Sequence, residues 1–179
     1  MSESLPERLP DGLPVIHRET VRPEWIDYNG HMNVAYFVLA FDYAVDALWA
    51  SLGIDDAYRE RTGCSTFAVE SHVTYQREMK LGEEMLFSVQ LLGYDEKRIH
   101  HFYRMYHATE GYLAATCEWL NLHVDLAVRK VTPMPEAVRS RLAALDTEHS
   151  ALPTPAEAGR GITGAGRSRV ARAGGGAGA

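Results

Sequence analysis

Residues 25–33 read WIDYNGHMN, which packs Asp27, Gly30, His31 and Asn33 into one turn-forming stretch just ahead of an apolar run. If that run is a helix, its start presents unpaired backbone N–H groups and the positive end of the helix dipole to whatever lies before it. Gly30 removes a side chain and lets a ligand approach the main chain closely. A carbonyl oxygen lodged against those N–H groups would be polarised, as in an oxyanion hole. Asp27 then stands ready to attack the carbonyl carbon or to deprotonate a water, with His31 or Asn33 orienting either partner. These residue types fit acyl transfer. They fit a plainer reading equally: Asp27 and Asn29 close an Asx turn, and Asn33 caps the helix.

The elements that must position this stretch follow from periodicity. Val15 to Val21 alternates as a first strand. After the turn, Phe37, Phe41, Val45, Leu48 and Leu52 recur at helical spacing, and Gly53 stands where a helix stop belongs. DDAYRERTG predicts a short second helix ending at Gly63. Four alternating segments come next: FAVESHVTY, EMLFSVQLLGY, RIHHFYRMYH and YLAATCEWLNLHVD. In the first of these, alternation puts Phe67, Val69, Val73 and Tyr75 on one face and Glu70 with His72 on the other. A short VRKV piece precedes PEAVRSRLAAL, a last helix with Pro135 near its first turn. One long helix beside consecutive hairpins predicts an α+β fold, a curved antiparallel sheet wrapped around one long central helix.

Bulk composition narrows the classes. The chain has 179 residues with 46% hydrophobic and 23% charged content, enough for one domain with a sizeable core. A net charge of −6 gives no overall attraction to nucleic acid or to an anionic membrane. No run is read as a membrane span or a signal peptide, so a cytoplasmic address is expected. Residues 1–14, polar and rich in proline, read as a flexible arm, and residues 148–179, dominated by Ala, Gly and Arg, as a disordered tail. Residues 15–147 are the working domain. The tail arginines, among them Arg160, Arg167, Arg169 and Arg172, lack interleaved aromatics, so no nucleic-acid partner is expected. Five histidines lie at positions 72, 100, 101, 107 and 123 without a HExxH pair, and alternation separates His100 from His101 onto opposite faces. No metal site or cofactor is expected. GxSxG and phosphate-loop motifs are absent as well.

VRPEWIDYNGHMNVAYF, HVTYQREMKLGEEM and LHVDLAVRKVTPMPEAVRSRL together resemble hotdog-fold acyl-CoA thioesterases of the 4-hydroxybenzoyl-CoA thioesterase type. More narrowly, PEWIDYNGH, AFDYAVDAL, FAVESHVTY and KRIHHFYRMYH resemble betainyl-CoA thioesterases of carnitine breakdown. The resemblance implies a hotdog fold over about residues 15–145, an acyl-CoA substrate, and a homodimer or homotetramer with sites between subunits. It implies hydrolysis of betainyl-CoA to glycine betaine and CoA, with Asp27 as nucleophile or general base. Another small acyl- or aryl-CoA, or a non-catalytic or dehydratase-like role, stands as the alternative.

Physical chemistry sets candidates beside that implication. A trimethylammonium acyl group wants aromatic faces, for which Trp25, Tyr28, Tyr43, Trp49 and Phe67 are candidates, and a counter-charge from Glu70 or Asp46. Glu70 interrupts an apolar strand, where a carboxylate needs a partner or a wet cavity, and across an interface it would face Asp27. Phosphates of CoA call for basic contacts, with Arg77, Lys97 and Arg98 the main candidates and Lys80 and Arg104 further ones.

Overall fold

The structure is a computed structural model that describes residues 8–162. Its elements run β1 (His17–Thr20), a 3₁₀ turn (Pro23–Trp25), α1 (Val34–Leu52), α2 (Asp56–Thr62), β2 (Cys64–Tyr75), β3 (Glu84–Tyr94), β4 (Arg98–His107), β5 (Leu113–Asp125), β6 (Lys130–Val131) and α3 (Glu136–His149). The strands form one antiparallel sheet in the order β1-β3-β4-β5-β2, with β6 beside β5. The sheet curls around α1, the hotdog arrangement.

The α1 sequence is a helix for local reasons as well as tertiary ones. Asn33 caps it, its side chain accepting from the Ala35 N–H at 3.0 Å. Gly53 ends it at φ 72°, and there a Cβ would sit 1.7 Å from an Arg141 guanidinium nitrogen. That arginine donates to the Leu52 carbonyl at 2.8 Å, which ties α3 across the end of α1. Phe37, Phe41, Val45, Leu48 and Leu52 are all buried, joined by Ala40, Ala44 and Trp49. They meet Phe87, Val89, Tyr103, Met105 and Cys117 on the concave face of the sheet. At 19 residues α1 is also long and apolar enough to cross a bilayer, contrary to the expectation that no run reaches that length. Here the sheet occupies its apolar side, and it is the core helix.

Register departs from simple alternation in β2. A bulge between Ala68 and Glu70 shifts the pairing with β5, so Phe67 pairs with Leu122 while Val73 pairs with Cys117. Val73 and Tyr75 stay on the helix side, but Phe67 moves to the outer face, and Val69 stands half-exposed at the bulge. His100 and His101 do separate. His100 binds Glu118 on the outer face at 2.7 Å, and His101 is buried inside against Trp49.

Segments expected as arm and tail are packed where they are described. Leu9 and Leu13 are buried, Leu9 against Leu86 and Tyr106 of the outer face, and Asp11 holds Ser88 and Arg104. At the other end, His149 accepts the Leu91 N–H at 2.9 Å, the Pro153 carbonyl accepts from Gln90 at 3.2 Å, and the Gly159 N–H reaches Glu118 at 2.8 Å. A few apolar and polar anchors suffice where a formed sheet supplies the surface, which composition alone does not reveal. Residues 1–7 and 163–179 of those segments lie outside the described residues.

Candidate active site

The stretch Trp25–Asn33 folds as a pinned loop at the start of α1. Its ends are joined by a bridge between Ile26 and Met32. The Asp27 N–H donates to the His31 carbonyl at 3.1 Å, the Gly30 N–H to the Asp27 carbonyl at 3.0 Å, and the Asn33 N–H to the Trp25 carbonyl at 2.9 Å. Gly30 takes φ 81°, a conformation that a side chain would strain, and a Cβ there would meet nothing within 4 Å. The loop is therefore both tightly defined and open to approach.

Both readings of Asp27 are present together. Oδ1 accepts the Asn29 N–H at 2.8 Å, which is the Asx turn. Oδ2 stands 3.5 Å from the Asn33 side-chain amide. Asn33 thus faces two ways, capping α1 with its oxygen and addressing Asp27 with its nitrogen. Turn bonding fixes one carboxylate oxygen and leaves the other beside the helix start. At that start the cap takes the Ala35 N–H, and the Asn33 carbonyl takes that of Tyr36 at 3.0 Å. Val34, at the first helical position, follows directly and is exposed.

A groove of about 220 Å³ opens alongside, lined by His31, Val34, Phe37, Tyr75 and Arg77 among others. The His31 Nδ1 lies 3.3 Å from the Met32 carbonyl, and the Tyr75 hydroxyl donates to the Val34 carbonyl at 3.5 Å. Arg77 stacks over Tyr112 at 3.6 Å and pairs with Glu110 at 3.8 Å. A cation is thus held at the groove's edge, where a phosphate-bearing ligand could meet it.

The other candidates fall elsewhere in the protomer. Trp25 is 2% exposed, stacked on Tyr36 and covered by Arg22, so it supports the loop from behind. Tyr28 is 95% exposed and projects into solvent. Tyr43 packs beside His17 of β1, on another flank of α1. Glu70 opens onto the outer face with His72, His100 and Glu118, and the bulge carries Phe67 there too. Lys97 lies in the β3–β4 turn and Arg98 opens β4, where it binds Asp95 at 2.6 Å. Arg98 lies in line with Phe67 through Leu122, about 25 Å along β2 from Tyr75. Arg104 is tied to Asp11 and Gln90, and Lys80 pairs with Glu78. The structure therefore joins Asp27, Gly30, His31, Asn33 and Arg77, and does not bring Glu70, Phe67, Tyr43, Lys97 or Arg98 to them within one chain.

Asp46, a candidate counter-charge, has a neighbour whose signal in the sequence went unread, Asp42. Asp42 and Asp46 are two acids spaced i, i+4 on an otherwise apolar helix, a pair that helical geometry sets on one flank. Burial, followed by the neighbouring Asp46 charge, raises the Asp42 carboxyl above its ordinary value.

Known proteins are similar to this chain in sequence and in fold. The family model described as the thioesterase-like superfamily matches residues 21–142. The betainyl-CoA thioesterase of Pseudomonas aeruginosa is 41% identical over 142 residues, 79% of this chain and 89% of that protein. The L-carnitine dehydrogenase/betainyl-CoA thioesterase of Rhizobium meliloti is 40% identical over 142 residues, which are 79% of this chain and 28% of that longer protein. A Staphylococcus aureus protein solved in complex with CoA matches with a TM-score of 0.78 at 26% identity, covering 90% of this chain and 99% of that one.

Proposed function

This chain belongs to the thioesterase-like superfamily of hotdog-fold acyl-CoA thioesterases, and from that premise we propose that it hydrolyses betainyl-CoA to glycine betaine and CoA at the Asp27 loop. The observation that carries the assignment of Asp27 is the division of its carboxylate: Oδ1 is fixed by the Asn29 N–H, and Oδ2 is presented beside the start of α1. A thioester carbonyl docked against the helix start gains partial positive charge on carbon as the main-chain dipoles draw its oxygen. Asp27 either adds to that carbon or removes a proton from a water that does. In the first route thiolate leaves as Asp27 forms a mixed anhydride, and water then cleaves that anhydride to release the acid and restore the Asp27 carboxylate. In the second, water adds directly and the C–S bond breaks as its oxygen enters the new carboxylate. In both routes the sulfur leaves with the electron pair and takes up a proton. The amide of Asn33 steadies Oδ2, and His31 lines the groove through which the CoA arm approaches. Arg77 is the basic contact placed to meet a phosphate of that arm. Two copies paired through β2 are the proposed assembly, and the cytoplasm the proposed compartment.

Release of free CoA thiol from betainyl-CoA tests the reading. The wild-type chain is expected to release it, and Asp27→Asn to lose nearly all of that activity while keeping its fold. Equal release by the two proteins would remove Asp27 from the mechanism.

A further inference from the structure

A second cavity, about 190 Å³, runs along the flank of α1 between that helix and β2, with Ser65, Thr66 and Ala68 on the strand side. Its floor is aromatic, since Trp49 and Trp119 line it and each is 6% exposed. Its rim carries Asp42 and Asp46, and neither carboxylate has a hydrogen-bond or salt-bridge partner among the described residues. Arg59 also borders the cavity, but its guanidinium is engaged by Asp56 on its own helix. Behind the floor, the His101 ring lies 5.2 Å from Trp49 and 6.3 Å from Trp119. Burial pushes His101 down to about 4, so at neutral pH no positive charge sits beneath the tryptophans. Tyr103 belongs to the same buried layer, and its hydroxyl has no partner.

Two indole rings in the lining with two unpaired carboxylates at the rim complement a bulky cation that has no N–H to donate. A primary ammonium needs hydrogen-bond acceptors around it, whereas a methylated nitrogen is held by aromatic faces and a nearby negative field. The acyl group named in the relatives is of the second kind.

We propose that this cavity holds the quaternary ammonium end of the acyl group, on its side of the site between subunits that the family resemblance implies, and so serves the Asp27 loop of a second copy of the chain. The proposal rests on the thioesterase reading above. Its second half follows from distance. Asp42 lies eight residues beyond Val34, about 12 Å along the helix, whereas a single methylene separates the quaternary nitrogen from the thioester carbonyl in betainyl-CoA. The Asp27 loop and the cavity of one chain are too far apart to share that substrate. A second copy removes the conflict. β2 is a 12-residue edge strand without proline or lysine, and among the described residues only β5 pairs with it. Antiparallel pairing of two such edges about their midpoints sets the Tyr75 end of one against the Cys64 end of the other. Tyr75 touches the start of α1, and Ser65 and Thr66 border the cavity, so each Asp27 loop comes beside the cavity of the other chain.

The test compares betainyl-CoA with 3,3-dimethylbutyryl-CoA, in which carbon replaces the charged nitrogen at the same shape. Wild type is expected to favour betainyl-CoA at least 10-fold in kcat/KM, and the Asp42→Asn, Asp46→Asn double variant to lower that preference at least 10-fold. An unchanged preference overturns the cavity assignment and leaves the thioesterase reading standing. Thiol release from neither substrate by wild type removes both. For the arrangement between chains, full-length Asp27→Asn and double-variant chains are co-expressed under two tags, and the mixed dimers isolated. Each mixed dimer then has one intact Asp27 facing one intact cavity, so about half the wild-type activity returns. Mixed dimers no more active on betainyl-CoA than the double variant alone, or failure to form any, would overturn the arrangement between chains.

Discussion

Two acidic regions border the same helix and are held in opposite ways. At the start of α1, Asp27 is fastened by a main-chain N–H, faced by a side-chain amide and framed by four residues of turn. Along the flank, Asp42 and Asp46 stand on rigid backbone with nothing bonded to their oxygens among the described residues. A fastened carboxylate has a fixed direction, which bond making requires. An unfastened pair keeps its attraction for a cation that arrives with the substrate. In the proposed reading, the contrast teaches that fastening separates a group used for chemistry from groups used for selection.

The largest effect should come from breaking the fastened member. Asp27→Asn is expected to lower kcat by about 10³-fold with little change in KM, in line with loss of a nucleophile or general base. The Asp42→Asn change should instead raise KM for betainyl-CoA, and a matched fall in kcat for both variants would erase the distinction. A control for fastening without chemistry is His149, whose Nδ1 accepts the buried Leu91 N–H. His149→Ala should cost about 1–3 kcal/mol in denaturant unfolding while kcat/KM per folded molecule holds. Burial lowers the His149 pKa below its ordinary 6.5, despite Glu148 and Asp146, so the folded chain binds that proton less readily than the unfolded chain does. Its contribution is therefore complete above pH 6.5 and is lost as the pH falls through the lowered value. Unfolding midpoints between pH 7 and 5 should decline more steeply in wild type than in the variant.

Asn33→Ala sharpens the comparison by loosening Asp27 without removing it. Loss of the cap should cost about 1 kcal/mol, and kcat should fall with Asp27 still present. The smallest effect has the opposite sign. The Asp42 carboxyl is raised above its ordinary 3.8 by burial and by Asp46, so its ionised form costs stability above the raised value and nothing below 3.8. Asp42→Asn should thus stabilise the free protein by about 0.2–0.5 kcal/mol at pH 7, a modest sum because its side chain is largely in water. The gain should vanish when melting is measured below pH 3.8.

What could be read in advance was whatever depends on neighbours in sequence. The stripe from Phe37 to Leu52, the stops at Gly53 and Gly63, and the strands around three hairpin turns are local patterns, and the structure has them. Asp27, Gly30, His31 and Asn33 were legible together for the same reason. Phe67 and Glu70 were not, because the bulge that decides their face exists only against β5. Leu9, Leu13 and His149 gave no periodic signal and are buried because a distant sheet face receives them. The acids at 42 and 46 were visible as letters, but their worth depends on Trp119 being brought across from β5.

The wrapping of residues 9–13 and 149–159 over the back of the sheet has a further consequence. The part of that face occupied by its own chain is closed to a stacked partner, whereas the long edge of β2 carries no strand beyond it among the described residues. In the proposed assembly the pairing of two chains is thereby directed to strand edges and away from the backs of the sheets, and trimming the chain after α3 is expected to uncover part of that back face.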